Sequence, residues 1–262
     1  MKTNHLFTGL LAAIIFCCFS CWEPHQELTD AQLKQGDSLA KAIDGIMRLA
    51  DLFKTENSFP FSADTTLLYH IENCDSLGTM EVKQLAVNWF KHDLVGGTDY
   101  DLQTFYKIDS VKAAGKYIEY CDSLQIGDTK CSNAFAICKL QPDGNTNILV
   151  WALVTSSYEA CPYSDVKTVY FSVVRGGIVS QTFMLGEYMV AGDAPASMER
   201  TISGKINADL TFVMNLYMEG DEDLDLPEIE ITKEHYEFAI KEGKISLMME
   251  KKNPPKKVKR KK

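Results

Sequence analysis

The stretch Ala134–Val154, AFAICKLQPDGNTNILVWALV, predicts a β-hairpin and with it the fold class. Its first part, Ala134–Leu140, alternates in the manner of a strand. Pro142 and Gly144 mark a turn, because proline restricts φ and glycine accepts a positive φ. The return strand, Asn147–Val154, is apolar on both faces, which is typical of a central strand covered on both sides. The stretch therefore indicates a sheet.

The hairpin pattern continues to Glu250 and predicts an antiparallel β-meander of about eight strands over residues 131–250. The further strand pairs are Val166–Val174 with Ile178–Tyr188, Glu199–Ile206 with Leu210–Met218, and Glu228–Ile240 with Lys244–Met249. These strands can form an open, curved sheet, or they can close into an up-and-down β-barrel around one small ligand. The doubly apolar strand Asn147–Val154 favours the open sheet, because helices can then cover its second face.

Residues 29–125 are predicted to be mainly helical. Three segments, Thr29–Lys54, Thr79–Leu94 and Ser110–Leu124, place apolar residues at helical spacing along one stripe. Such helices need a surface to pack against, and the meander offers one. The sequence therefore predicts a single α+β domain over residues 29–250, with N-terminal amphipathic helices packed on a curved β-meander.

Residues 1–20 resemble the signal peptide of a bacterial lipoprotein. Lys2 gives a short basic start, and Leu6–Phe19 is an apolar run too short to span a bilayer as an ordinary helix. The pair Ser20-Cys21 fits the pattern in which a small residue precedes the lipidated cysteine. The resemblance implies acylation of Cys21, followed by a short tether over residues 21–28. A plain cleaved signal peptide and an uncleaved anchor are the alternatives.

The charge distribution is strongly asymmetric. The last twelve residues, Lys251–Lys262, hold eight Lys or Arg and no acid, whereas residues 21–250 hold 18 basic and 36 acidic residues. A basic block that contains Pro254-Pro255 predicts a disordered tail. The tail could contact an anionic surface such as lipid headgroups, or lie solvated over the protein's own acidic face. Nucleic acid is not expected as a partner, because the basic residues have no organised groove or interleaved aromatic residues.

Five cysteines follow Cys21, namely Cys74, Cys121, Cys131, Cys138 and Cys161. An exported protein meets an oxidising compartment, so a disulfide is possible, and the odd number leaves at least one cysteine without an intramolecular partner. Cys131 and Cys161 flank the open end of the first hairpin and are the predicted pair. No two of these five cysteines form a Cys-x-x-Cys, so neither a zinc ribbon nor a thioredoxin-type site is indicated.

No catalytic motif appears in the sequence. The chain lacks a nucleophile elbow, a His-Glu-x-x-His helix and a complete phosphate-binding loop, so no cofactor and no catalytic residue are predicted. Asp221, Asp223 and Asp225 alternate as oxygen ligands for calcium would. Leu226 and Thr232 stand where an EF-hand needs Gly and Glu, which makes this a weak metal candidate.

Two segments between or near strands combine aromatic and carboxylate side chains, as binding loops often do. Their candidate binding residues are Tyr158, Glu159, Tyr163, Glu187, Tyr188 and Asp193. The same segments could equally be packed corners in which glycine and proline make the turns.

The motifs Ser156–Pro162, Met184–Tyr188, Ala191–Pro195, His235-Tyr236 and Glu242–Ile245 are similar to those of uncharacterised small lipoproteins of Gram-negative anaerobic bacteria. The resemblance covers most of the chain after the leader and implies the α+β layout and an envelope location. It carries no activity.

The sequence thus predicts an exported protein, lipid-anchored to the outer membrane of the cell envelope, that acts as a binding module for an unknown small molecule or protein. A small envelope hydrolase that uses loop carboxylates and a structural envelope component are the alternatives.

Overall fold

The computed structural model describes residues 30–56, 58–95, 98–158, 163–193, 196–221 and 228–259. The chain divides into two compact units, residues 1–41 and 42–262. Within the first unit only the backbone from Asp30 and the side chains from Ser38 are described. All contacts below lie within the second unit.

The described part of the chain holds five α-helices and two short 3₁₀ turns. The helices are α1 Asp30–Ala50, α2 Thr65–His70, α3 Thr79–Leu85, α4 Thr98–Ala113 and α5 Tyr117–Asp122, and the 3₁₀ turns are Ile71–Asn73 and Asp93–Val95. The predicted third helix is in fact two helices, because the chain leaves the helical conformation at Gly115, which has a φ of 71°. No helix in these ranges is long and apolar enough to cross a bilayer.

Helix α3 is shorter than its apolar spacing predicts. The backbone carbonyl of Leu85 accepts hydrogen bonds from Ser172 Oγ at 3.0 Å and Thr182 Oγ1 at 2.6 Å. Asn88 then adopts a positive φ of 53°, a conformation that asparagine tolerates well. The Phe90 amide donates to the carbonyl of Thr182 at 2.9 Å, and Trp89 forms an isolated parallel β-bridge with Thr182. Tertiary hydrogen bonds therefore replace the second half of the predicted helix.

Twelve strands form one mixed sheet. They are β1 Thr55–Glu56, β2 Phe61–Ala63, β3 Asp75–Leu77, β4 Thr129–Leu140, β5 Thr146–Ser157, β6 Tyr163–Arg175, β7 Ile178–Asp193, β8 Ala196–Ile206, β9 Thr211–Asp221, β10 Glu228–Lys241, β11 Lys244–Lys252 and β12 Lys256–Lys259. Strands β4 to β11 run in sequence order as an antiparallel meander, which confirms the prediction of an α+β protein built on such a meander. The sheet is open, so the alternative of a closed β-barrel was wrong.

Turn chemistry explains most of the hairpins. Gly176 and Gly177, with φ of 59° and 76°, make the two-residue turn between β6 and β7, as the right-handed twist of paired strands requires. The first hairpin turn differs from its prediction, because Gly144 does not adopt a positive φ. Instead the Asp143 carboxylate accepts the amides of Asn145 and Thr146, each at 2.7 Å.

The sheet splits between β7 and β8 and curls on itself. The two strands pair only through Glu187–Asp193 and Ala196–Ile202, and beyond that point β2 pairs with β8 instead. The rings of Phe171 on β6 and Phe212 on β9 are 5.1 Å apart, whereas three flat strand spacings would separate them by roughly 14 Å. The face that carries these rings is therefore concave, and we call it the concave face.

The basic C-terminal segment departs from the prediction of a disordered tail. Strand β12 pairs antiparallel with the first residues of β10. Glu228 lies opposite Lys259 and Glu230 lies opposite Lys257, and opposite charges across strands are stabilising. The acidic start of β10 therefore gives these lysines partners that are distant in sequence. Residues 260–262 lie outside the described part.

Candidate functional site

A groove lies at the end of the sheet where β7 turns into β8. Its volume is about 720 Å³. It is lined by Ala191, Gly192, Asp193, Ala196, Ser197, Met198, Met218, Gly220, Asp221, Glu228, Ile229, Glu230, Thr232 and Lys257. The groove therefore draws on five strands, β7, β8, β9, β10 and β12.

The floor of the groove continues the concave face. Met198 lies four positions before the buried Ile202, and Met218 lies four positions after the buried Met214, so each methionine points to the same face as the buried residue of its own strand. Because Met198 pairs with Gly220 and Ile202 pairs with Leu216, all four side chains point to one face of the sheet. Towards the strand ends the residues become small, with Ala191 on β7 and Gly220 on β9. Small side chains cannot fill the curvature of the sheet, so an open space remains there.

The described lining of the groove is predominantly acidic. It contains four carboxylates, Asp193, Asp221, Glu228 and Glu230, and one cation, Lys257. Lys257 lies opposite Glu230 and Lys259 lies opposite Glu228 on the neighbouring strand, so two of the four acids have a nearby basic side chain. The remaining charge favours positively charged groups in the groove.

A buried ion pair lies at the inner end of the groove. Arg200 on β8 faces Met218 on β9 across the sheet, and its Nε is 3.4 Å from Glu187 Oε1. Glu187 is only 6% exposed. Arg200 Nη2 also donates to the carbonyl of Leu94 at 3.3 Å. The pair therefore ties β7 and β8 to the 3₁₀ turn that precedes helix α4.

The geometry of this pair makes Glu187 an unusual carboxylate. Glu187 Oε1 is buried, and although Arg200 is within ion-pair distance, it makes no proper hydrogen bond to that oxygen. Burial raises the pKa of the Glu187 carboxyl above its ordinary value, Arg200 opposes this rise, and the negative charge of Asp101 adds to it. Burial also raises the pKa of Asp101, on helix α4, to about 6. Glu187 and Asp101 thus both have raised pKa values.

Two of the candidate binding residues reach the groove region. Asp193 lies at the exposed end of β7 and lines the groove. Tyr163, at the start of β6, pairs with Gly192 and lines a smaller cavity of about 130 Å³. Tyr158 is exposed at the end of β5, where its amide donates to the carbonyl of Asp128 at 2.5 Å. Glu159 lies outside the described residues.

Glu187 and Tyr188 are strand residues, as the predicted strand Ile178–Tyr188 requires, and their assignment to a binding loop was wrong. Both lie inside β7, five or more residues from its end. Glu187 is held in the buried ion pair, and the ring of Tyr188 is 6.1 Å from that of Tyr69. The glycine at position 186, which suggested a loop, is instead a strand residue opposite Val169.

The predicted covalent and metal sites rest partly on residues that the structure does not describe. Cys131 Sγ lies 2.9 Å from Ser156 Oγ, whereas Cys161 and the lipidation site Cys21 fall outside the described ranges. Asp223 and Asp225 also fall outside them. No group of three or more His, Cys, Asp or Glu side chains within these ranges is placed to hold a metal ion.

Sequence reasoning did not identify most of the groove. Met198, Met218, Arg200 and Lys257 carry no motif. The available signal was weak: Met198-x-Arg200-x-Ile202 has the period of a strand, but one strand does not say which neighbours complete the surface.

The chain was compared with protein-family models, curated proteins and solved structures, and none of them matches.

Proposed function

We propose that this protein is a ligand-binding module of the cell envelope, held at the outer membrane by a lipid on Cys21. We further propose that its groove takes a small molecule with an apolar body and a positively charged group. The groove is the observation that carries the proposal. Its volume of about 720 Å³ falls within the range of small-molecule sites, which are usually clefts of roughly 300–1,000 Å³.

The floor of the groove supports an apolar ligand. Met198 and Met218 are half-buried and lie beside Ala191 and Ala196. Methionine side chains are flexible and polarisable, and they adapt to ligands of irregular shape. Removing the apolar surface of a ligand from water would supply most of the binding free energy.

The charges support a cationic group on that ligand. The described lining holds four carboxylates and Lys257, and Lys259 lies opposite Glu228. The acids still outnumber the lysines, so a positive group gains attraction and an anionic group meets repulsion. These acids are partly exposed, so each contributes modestly, on the order of a few-fold in affinity.

The helical part of the chain belongs to the same proposal. We propose that the helices form a layer over part of the sheet, which leaves the groove end uncovered. Lys112 Nζ on helix α4 donates to Asn133 Oδ1 at 2.6 Å and to the carbonyl of Ser132 at 3.2 Å, both on β4. The buried side chains of Phe105 and Ile108 on the same helix support this arrangement.

The test is calorimetric titration of the purified chain with decylammonium and, as the matched anion, decanoate. We expect saturable binding of decylammonium and at least about tenfold weaker binding of decanoate, because several carboxylates act together. Equal affinity for both probes, or no binding of either, would contradict the proposal.

Two variants with matched controls locate the site. Met198→Gln should weaken decylammonium binding about fivefold through lost apolar contact, whereas Met80→Gln, at an exposed methionine of helix α3, should not. Asp193→Asn should weaken it about twofold to fivefold, whereas Asp75→Asn on β3 should not. Native mass spectrometry of protein extracted from its own membrane would report both acylation at Cys21 and any co-purified small molecule.

The hydrolase alternative has less support. Glu187 and Asp101 have raised pKa values, as catalytic acids often have, but neither residue is among the described lining of the groove. A turnover-dependent activity that is lost in Asp193→Ala without unfolding would favour the hydrolase over the binding module.

A further inference from the structure

Strands β11 and β12 form an outer border of the sheet that combines lysines with exposed apolar side chains. Both strands pair with β10 on one side, and we call residues 244–259 the basic edge. Its lysines are Lys244, Lys251, Lys252, Lys256, Lys257 and Lys259, and all six are exposed. Leu247, Met248 and Met249 are 39%, 60% and 42% exposed.

The charge of the basic edge is local. The basic edge, residues 244–259, holds six lysines and the single acid Glu250, a net charge of +5. The whole chain has a net charge of −9, so all other residues together carry −14. Glu250 is paired with Lys252, with 2.6 Å between Oε1 and Nζ. A surface of this kind presents its positive charge in one direction and repels anions elsewhere.

Structure, not composition alone, creates this surface. Lys251 pairs with His235 and Met249 pairs with Glu237 on β10. Side chains alternate along a strand, so both residues face the same side of the sheet as Lys233, two positions before His235. An irregularity in that register at Met248 leaves this side chain the most exposed of the three apolar residues. The bend at Pro254-Pro255 lets β12 continue along β10, so the lysines of both strands lie on one border.

Lysines on a border strand also prevent edge-to-edge pairing of sheets. That role does not need three consecutive exposed apolar residues, which would instead promote association. Lysines beside exposed apolar side chains are typical of surfaces that bind anionic bilayers, where the charges approach the headgroups and the apolar groups enter the interface.

We propose that the basic edge docks on a lipid bilayer that contains anionic headgroups. This contact needs no acyl chain and no ligand in the groove, and it shares Lys257 with the groove lining. It would orient the sheet with β10 to β12 towards the membrane. The partner is the bilayer surface and not a nucleic acid, because the exposed leucine and methionines would gain nothing from a duplex.

The experiment is vesicle co-sedimentation of the full chain carrying Cys21→Ser, so that no acyl chain contributes. Vesicles of phosphatidylcholine with about 30 mol% phosphatidylglycerol are compared with pure phosphatidylcholine. Residues 1–20 are present in every variant, so their contribution to vesicle binding is the same in all variants that are compared. The test variant is Lys256→Gln/Lys257→Gln/Lys259→Gln, and the matched control is Lys54→Gln/Lys116→Gln/Lys130→Gln, three exposed lysines elsewhere.

We expect the anionic vesicles to bind at least about tenfold more protein than the neutral ones, and the test variant to lose at least about tenfold in affinity while the control binds normally. Binding should fall steeply at about 0.5 M NaCl, because salt screens exposed charges. Met248→Ser should weaken binding about twofold to fivefold through lost burial, whereas Met80→Ser should not. Thermal melts verify that every variant is folded.

Several outcomes would overturn the proposal. Equal binding of the test variant and its control, or equal binding to neutral vesicles, would show that the basic edge is not the docking surface. Equally tight binding of duplex DNA at the same salt would show a general polyanion surface. Self-association of the test variant without a change in vesicle binding would show that the lysines only protect the sheet edge.

Discussion

The two ends of the concave face are built from the same strands, β7 to β10, but one is a filled core and the other is a groove. At the filled end Phe183, Phe212 and Phe238 are at most 1% exposed, and the rings of Phe212 and Phe238 stack with centroids 4.7 Å apart. At the groove end the corresponding faces carry Ala191, Gly220 and half-buried methionines. Strand pairing is shared, so side-chain volume decides which part of a curved sheet is solid.

The opposite face of the sheet also differs along its length in how polar groups are satisfied. Ser172 follows Phe171 on β6 and therefore points to that opposite face, where its Oγ donates to the Leu85 carbonyl and accepts from Trp151 Nε1 at 3.0 Å, all within the core. At the groove end Ser197 Oγ bonds Asp221 Oδ1 at 3.2 Å in a half-exposed position. Water can replace the second bond but not the first, so the same chemical change should have very different consequences.

The largest effect is expected from ring removal. Phe212→Ala should lower the free energy of unfolding by about 3–5 kcal/mol, because it leaves a cavity between stacked rings. Met218→Ala, on the same face of β9, should cost only about 1 kcal/mol, since its side chain is half-buried. Urea unfolding of both variants measures the contrast, and equal losses would mean that the groove end is packed as tightly as the core.

A smaller effect is expected from a matched pair of serine substitutions. Ser172→Ala leaves the buried indole N–H of Trp151 without its acceptor and should cost about 1–3 kcal/mol. Ser197→Ala should cost about 0.5 kcal/mol or less, because both partners reach solvent. The measurement is the same urea unfolding experiment. If Ser172→Ala proved neutral, the hydroxyl network would not stabilise the end of helix α3.

Asp101 and Glu187 should make stability depend on pH. Burial raises the pKa of Asp101 from its ordinary 3.8 to about 6, so the folded state binds this proton more tightly than the unfolded state. Its contribution is therefore fully present below about pH 4 and is lost as pH rises towards 6. The raised pKa of Glu187 acts in the same direction.

The measurement is the melting temperature of the native chain and of Asp101→Asn between about pH 4 and 7. Relative to the variant, the native chain should become less stable as pH rises through this window. Asp99→Asn, at an exposed position of the same helix, is the control. It should leave the pH dependence of the melting temperature as it is in the native chain. A constant difference between the native chain and Asp101→Asn would contradict the expectation.

The smallest effect on stability is expected from filling the groove. Gly220→Val adds a side chain towards Met198, and its Cβ would lie 3.3 Å from the Ser197 carbonyl oxygen, which is tight but not a collision. We expect stability to change by no more than about 1 kcal/mol and decylammonium affinity to fall about tenfold. Asn215→Val, on the opposite face of β9, should leave affinity unchanged. Retained affinity in Gly220→Val would place the ligand elsewhere.

The meander could be read from the chain because its determinants are local. The turns at Gly176-Gly177 and Glu242-Gly243 carry the positive φ values that two-residue hairpins need. Helix α3 is a case in which local sequence does not determine where the element ends. Trp89 and Phe90 have helical spacing from Val82 and Leu85, but hydrogen bonds from β7 to residues 85–90 end the helix.

The candidate site was predicted only in part. Asp193 was identified because a carboxylate after a strand, next to glycine, is visible in the sequence. Met198 and Met218 were missed, since they become neighbours of a groove only through the register of β8 and β9. Lys257 was assigned to a disordered tail, and its position opposite Glu230 depends on a pairing that skips the whole of β11.

The sequence by itself determined the α+β class, the order of the meander strands and most of their turns, because backbone preferences and apolar periodicity act over a few residues. The tertiary structure alone decided that the sheet curls without closing, that the basic segment becomes its border, and where the groove lies. These features depend on side-chain volumes and charges from strands that are distant in sequence, and no local sequence pattern specifies the contacts between them.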